Sequence, residues 1–173
     1  QDDNFMNDRD AVLELCDILS QYAFSWQATA RVDGFDREMA VAMQDCGCYE
    51  VGFGIESGSQ EILRLMRKDI SIEQSLTARN ICKDLGLRFT ALMMSGYPGE
   101  NSETKADDAS FRRELRPDGL GTIGVTYVFP GTLLYRQCKQ AGLIDESYWL
   151  GNDPFYVYRG GLEPELIGSD GGA

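Results

Sequence analysis

Tyr49-Glu50-Val51-Gly52-Phe53-Gly54-Ile55-Glu56-Ser57-Gly58-Ser59 is the stretch that decides the fold. Its β-branched and aromatic residues read as a strand over 49–55. The strand closes on Gly-Phe-Gly, presents Glu56 and Ser57, and turns into a helix that Ser59 can cap. In parallel α/β sheets ligands gather at the carboxyl ends of the strands. Glycines let backbone approach them, and helix N-termini attract their anionic groups. As a dinucleotide fingerprint the stretch fails, because Gly52, Gly54 and Gly58 are spaced G-x-G-x-x-x-G. Tight packing of strand on helix also uses such glycines, so the motif alone leaves both readings open.

The rest of the chain repeats this unit. Further strands are expected at 25–32, 88–95 and 122–128, with helices at 8–22, 36–46, 60–67, 72–85, 103–115 and 133–141. Val12, Leu15, Cys16 and Leu19 share one face of the first helix, behind Asn7 as N-cap. Ser71 and Gln74 have capping-box spacing at the head of 72–85. The thinnest apolar face belongs to 103–115, with Ala106, Ala109 and Phe111. Gly47, Gly86 and Gly142 each follow a helix, where the left-handed conformation favours glycine. Strands alternating with helices of this length imply βα units and a parallel sheet. Burial of that sheet on both faces would account for the nearly continuous apolar run at 89–94. The tail from Gly160 reads as loop and frayed end.

Composition bounds the function. The chain has 173 residues, 16 Lys and Arg against 28 Asp and Glu, and a formal charge of −12. At roughly 150 residues per domain this is one domain with room for a real core. An apolar content of 43% with 10% aromatics marks a globular chain. Histidine is absent, which excludes Ser-His-Asp and Cys-His catalysis and any His-containing zinc site. The acidity argues against an extended nucleic-acid footprint and leaves room for a small anion pocket. Cys16, Cys46, Cys48, Cys82 and Cys138 are odd in number and lie mostly in apolar-periodic segments, which points to a reducing, cytoplasmic setting. The longest apolar stretch is too short to cross a bilayer, so no membrane partner is expected. The chain opens at Gln1 within polar, acidic sequence, as a fragment or processed chain would.

Two more loops repeat the arrangement of 49–59. Ser95-Gly96-Tyr97-Pro98-Gly99-Glu100 and Phe129-Pro130-Gly131-Thr132 each follow a strand and precede a helix. Either alone is a Pro-Gly turn, but three Gly-bearing loops after successive strands would share one face and mark a site there. Arg31 and Asp33 end the strand 25–32, at a solvated rim or aimed into that site. Asp2, Asp3 and Asn4 form an acidic knot before Phe5, more often a surface loop than a metal site. Cys46-Gly47-Cys48 offers two thiols and no histidine, so these are read as core cysteines. Lys68 follows the helix 60–67 as a cation favoured by the helix dipole.

The ordered set runs Asp2-Asp3-Asn4-Phe5, Trp26 to Ala30-Arg31-Val32-Asp33, Cys46-Gly47, and Gly52 through Leu63. It continues with Gly96-Tyr97-Pro98-Gly99-Glu100, Pro130-Gly131-Thr132-Leu133-Leu134-Tyr135 and Gly142-Leu143-Ile144. In this order the segments resemble the radical S-adenosylmethionine (radical SAM) superfamily, and within it the branch that often carries an N-terminal cobalamin-binding domain. The resemblance implies an α/β fold, a partial TIM-type (β/α) barrel truncated at the N-terminus, over residues 1–150, with 151–173 as a C-terminal extension. It implies S-adenosylmethionine at the strands' carboxyl ends, bound through its amino and carboxylate groups to a [4Fe-4S] cluster. In such enzymes electron transfer yields a 5′-deoxyadenosyl radical that abstracts a substrate hydrogen. It further implies a small-molecule substrate, an electron donor such as flavodoxin or ferredoxin, and cobalamin through another domain.

Carried over residue by residue, Asp2, Asp3 and Asn4 match the loop beside the amino group. Glu56, followed by Ser57, matches the position that reaches the ribose hydroxyls. Lys68 matches a basic position that in some relatives pairs with the carboxylate. Arg31 faces the same mouth, and the loops at Gly96 and Pro130 would frame the adenine. The family's three cluster cysteines, C-x3-C-x2-C, have no counterpart here. The chain is therefore expected to run from the end of the second barrel strand to after the sixth, without cluster ligands and not competent alone. A hydrophobic strand edge would be exposed where further units pair. The parent would be a radical SAM enzyme, a methyltransferase or cyclase. Two other readings stand beside it: a cluster-less α/β module binding S-adenosylmethionine or a nucleotide, and an NAD(P)-dependent oxidoreductase using 52–58.

Overall fold

The computed structural model describes residues 4–121, 124–152 and 155–167. Helix α1 (Arg9–Leu19) leads into β1 (Trp26–Ala30), α2 (Arg37–Asp45), β2 (Cys48–Glu56), the short α3 (Gln60–Leu65), α4 (Ile72–Leu85), β3 (Arg88–Ser95) and α5 (Ser102–Leu115). Then come β4 (Gly119–Leu120), β5 (Gly124–Val125), β6 (Tyr127–Val128), α6 (Leu133–Gln140) and β7 (Tyr156–Val157).

Side-chain caps set the helix starts. Asp8, not its neighbour Asn7, accepts from the Ala11 amide at the head of α1. The Ser71–Gln74 capping box forms in full. Asn101 builds a second box with Thr104, which gives α5 a firm start despite its thin apolar face. Ser59 caps α3 by position only, since its hydroxyl donates instead to Asp107 at 3.4 Å. Gly47, Gly86 and Gly142 all take the left-handed conformation expected of them.

Strands β1, β2 and β3 pair in parallel in chain order, and β4 and β5 both pair with the far edge of β3. Chain order without a reversal, with the helices on one face, is the pattern of a barrel arc and not of a doubly wound sheet. Val51, Phe53 and Ile55 of β2 and Phe89, Ala91 and Met93 of β3 are buried on the helix side. Met39, Ala40 and Met43 of α2 and Ala78 and Cys82 of α4 join them in one core. At its centre the Phe53 ring stacks on Phe89 at 4.8 Å and meets Phe35 edge-on at 4.9 Å.

Alternation puts Glu50, Gly52, Gly54 and Glu56 on the opposite, inner face. The sheet is therefore not fully buried on both faces, as the apolar run at 89–94 had implied: Thr90, Leu92 and Met94 on the inner face of β3 are only partly buried. Leu92 instead faces a hollow of about 660 Å³, lined also by Trp26, Ala28, Glu50, Gly52 and Thr90. The run is continuous because the inside of a barrel wall is apolar too. Among the described residues no strand pairs the outer edge of β1, where the Phe5 amide donates to the Thr29 carbonyl at 2.9 Å.

The strand expected at 122–128 starts earlier, at Gly119, and is broken into short pieces; Thr122 and Ile123 lie outside the described residues. Tyr127–Val128 leaves the parallel sheet to pair antiparallel with Tyr156–Val157. A second core joins Val128, Leu134, Tyr135 and Cys138 to Ile144 and Leu162. As far as Ile167 the tail is anchored at Leu162 and turns once more at Pro164–Leu166, so it does not fray from Gly160; the expected frayed end at 168–173 lies outside the described residues. All five cysteines are buried. Burial pushes the thiols of Cys16 and Cys82 up to about 12, and those of Cys48 and Cys138 to about 11. Among the described residues no helix is long and apolar enough to cross a membrane.

Candidate functional site

Two ion pairs stand at the carboxyl ends of β1 and β2. Just after β1, Arg31 grips Asp33 with two nitrogens, Nε to Oδ1 at 3.0 Å and Nη2 to Oδ2 at 2.9 Å. At the end of β2, Lys68 Nζ donates to Glu56 Oε1 at 2.9 Å, and both side chains are about four-fifths buried, at 20% and 21% exposure. The pairs feel each other. The Arg31 guanidinium holds the Asp33 carboxyl below the usual carboxylate range, and Lys68 adds to that. Asp33 in turn raises Arg31, with a further contribution from Asp69. The result is a patch of alternating charge with fixed donors and acceptors.

Local backbone explains how Glu56 and Lys68 meet. The β2–β3 register slips between Gly54 and Glu56, and Glu56 itself sits at φ +70. Such a conformation costs a non-glycine residue about 1–3 kcal/mol and collects at ligand sites. Beyond α3, Arg67 turns at φ +53 and the Lys68 amide bonds back to the Leu63 carbonyl at 2.9 Å, which returns the lysine toward β2. Lys68 is therefore the partner of a carboxylate, more than the dipole-favoured cation its sequence position implied. Gly54 leaves room for the pair, since a Cβ there would stand 3.0 Å from Glu56 Oε1 and 3.4 Å from Lys68 Nζ.

The structure distributes the remaining candidates unevenly. Asn4 and Arg31 share a cavity of about 230 Å³ with Met6, Asn7, Asp33 and Gly34. Asp2 and Asp3 lie outside the described residues. Ser57 is turned away from Glu56: its hydroxyl accepts the Ser59 amide at 3.1 Å and lines a second cavity, of about 370 Å³, with Met94, Ser95, Thr104 and Asp108. Gly96 and Pro130 are exposed in the loops after the later strands, and neither lines these two cavities. Sequence reasoning missed the space that Gly54 provides. It also missed Asp108, whose carboxylate accepts the Gly58 amide at 2.7 Å across 50 residues of chain.

The Arg31–Asp33 pair carries a pH signature. A carboxyl lowered by folding stabilises the native state above its unfolded value near 3.9, and loses that contribution as pH falls through the folded value. The melting-temperature gap between wild type and Asp33→Asn should be level from about pH 5 to 8 and close below about pH 4. A gap still open in strong acid would show that the carboxylate charge is not its source.

The family model of the radical SAM superfamily matches residues 6–111 of this chain. The chain belongs to the radical SAM superfamily. It is 30% identical over 150 residues to an uncharacterized methyltransferase of Pyrococcus horikoshii, covering 86% of this chain and 32% of that protein. It is 28% identical over 155 residues to the cytidylyl-2-hydroxyethylphosphonate methyltransferase of Streptomyces wedmorensis, covering 84% and 29%. The chain thus spans about a third of these relatives. The radical S-adenosylmethionine methyltransferase TsrM of Kitasatospora setae, solved with cobalamin and a [4Fe-4S] cluster, superposes with a TM-score of 0.74 at 19% identity. That overlay covers 83% of this chain and 30% of TsrM. The fold is accordingly the partial (β/α) barrel of radical SAM proteins.

A carboxylate beside cations at the strand ends suits a ligand that offers both hydroxyls and a carboxylate, as S-adenosylmethionine does. A [4Fe-4S] cluster does not fit. Among the described residues no group of three His, Cys, Asp or Glu is placed to hold a metal, and every thiol is buried.

Proposed function

We propose that this chain forms part of the S-adenosylmethionine site of a radical SAM enzyme that acts on an organic substrate, with methyl transfer as the reaction class. The observation that carries this is the mostly buried Glu56–Lys68 pair at the carboxyl end of β2, next to Arg31–Asp33. Glu56 accepts from the ribose hydroxyls, while Lys68 and Arg31 face the carboxylate. The Asp2-Asp3-Asn4 loop takes the amino group, the loops at Gly96 and Pro130 flank the adenine, and Ser57 supports the turn that presents Glu56. Once bound and reduced, S-adenosylmethionine supplies the 5′-deoxyadenosyl radical of this superfamily. The names of the two methyltransferase relatives support the reaction class.

In this proposal residues 1–150 are the barrel portion and 151–173 a C-terminal extension. The cluster ligands and any cobalamin site belong to parts of the enzyme other than the described residues. The electron donor is a flavodoxin or ferredoxin, and the setting is the cytoplasm. Calorimetry of the chain tests the site. S-adenosylmethionine should bind, with affinity about tenfold weaker in Glu56→Gln and in Lys68→Met, one charge-assisted contact each. NAD(P) binding more tightly than S-adenosylmethionine would overturn the reading, as would wild-type affinity in both variants.

A further inference from the structure

Asp108 lies on α5, 50 residues beyond Gly58 in the chain, yet its carboxylate reaches the loop that presents Glu56. One oxygen accepts the Gly58 amide at 2.7 Å and the other takes Arg112 at 2.9 Å. The neighbouring Asp107 accepts the Ser59 hydroxyl at 3.4 Å. Gly58 is pressed against the same turn of helix, where a Cβ would stand 2.6 Å from Phe111 Cβ and 2.9 Å from Asp108 Cα. Phe111 is itself buried in the main core, so this wall does not yield. The loop needs such a grip. Glu56 is held at φ +70, two residues before the amide that Asp108 captures. Relaxation to an ordinary φ would swing its carboxylate off Lys68. A hydrogen bond to an ionised acceptor is about twice as strong as a neutral one, and Arg112 fixes which oxygen faces the loop.

We propose that Asp108 is a positioning residue for the ligand end of β2. By holding the Gly58 amide it keeps Glu56 in its left-handed conformation, aimed at Lys68 and ready for ribose hydroxyls. The ribose rests on the S-adenosylmethionine reading; the grip on the loop does not.

The test compares amide hydrogen exchange at Gly58 and at Phe53 in wild type, Asp108→Ala, Asp108→Asn and the same-helix control Ser110→Ala, alongside calorimetry with S-adenosylmethionine. In Asp108→Ala, Gly58 should exchange at least about tenfold faster while Phe53 is unchanged, since the opening is local. The ligand should bind about tenfold more weakly, Asp108→Asn should recover part of both effects, since it keeps an acceptor but not the charge, and Ser110→Ala should match wild type. Unchanged Gly58 exchange overturns the proposal. So does equal acceleration at Gly58 and Phe53 without rescue by Asn, the mark of a purely structural role. If Asp108→Ala does not fold, Arg112→Met decides: several-fold faster exchange confined to Gly58 supports the grip, and wild-type exchange refutes it. Failure of the wild-type chain to bind S-adenosylmethionine counts against the proposed function alone, because the exchange arms need no ligand.

Discussion

Phe53→Ala should destabilise the protein by about 4 kcal/mol, near the middle of the range for emptying a buried phenylalanine site. The ring is fully buried, stacks on Phe89 and meets Phe35 edge-on, so its loss removes apolar burial and two aromatic contacts together. For a chain of this length the change corresponds to a fall in melting temperature of roughly 8–16 °C. Urea unfolding checks it: the midpoint should drop with little change in slope, because the surface exposed on unfolding is nearly the same. A loss below about 1 kcal/mol would mean that this ring stack does not hold the sheet to its helices.

The site depends on that stack indirectly. Phe53 faces the helices while Gly52, Gly54 and Glu56 face inward, so the residue that anchors β2 and the residues that serve a ligand alternate along one strand. This alternation was hidden in the sequence, where apolar residues at 89–94 implied a sheet buried on both faces. Periodicity reports which residues avoid water, and a helix layer and a barrel interior satisfy it equally well. Signals confined to a few residues survived better. The Ser71–Gln74 box and the glycines after the helices act within one turn, and the structure contains them as read. Asp8 displaced Asn7 because both side chains can cap and nothing local chooses between them.

The candidate site was legible in outline and illegible in its couplings. The position of Glu56 at a strand end could be read from Gly-Phe-Gly and the helix that follows. Its positive φ could not, because that conformation is stabilised by Lys68 from beyond α3 and by Asp108 acting through Gly58. Ser57 next to Glu56 looked like a second ligand group, yet consecutive residues at a strand end point to opposite sides, and it turned toward α5. The broken fourth strand had the same cause: its pairing is set by β3 and, past Thr126, by Tyr156–Val157, which is remote in the chain.

Gly54→Val should abolish the proposed S-adenosylmethionine site while sparing the fold. Gly54 has no positive φ, so a β-branched residue suits its strand backbone and removes the entropic cost of a glycine there, roughly 0.5–1 kcal/mol. A bare Cβ already comes to 3.0 Å from Glu56 Oε1 and 3.4 Å from Lys68 Nζ, so the pair must give way to the Cβ itself, and valine adds two methyl groups beside it. Separating a mostly buried carboxylate from its ammonium leaves both without the partner that offsets their desolvation. Affinity for S-adenosylmethionine should fall about 100-fold, which is about 2.7 kcal/mol, with a smaller loss in Gly54→Ala. Gly52→Ala, on the same face, is the control. Its Cβ would meet only ordinary contacts, 3.6 Å to Thr29 Cγ2 and 3.7 Å to the Ala28 carbonyl, so binding should not change. Affinities ordered Gly, Ala, Val at position 54, in variants that all still unfold cooperatively, would tie binding to the space above Glu56 and Lys68. Wild-type affinity in Gly54→Val would remove that pair from the ligand site.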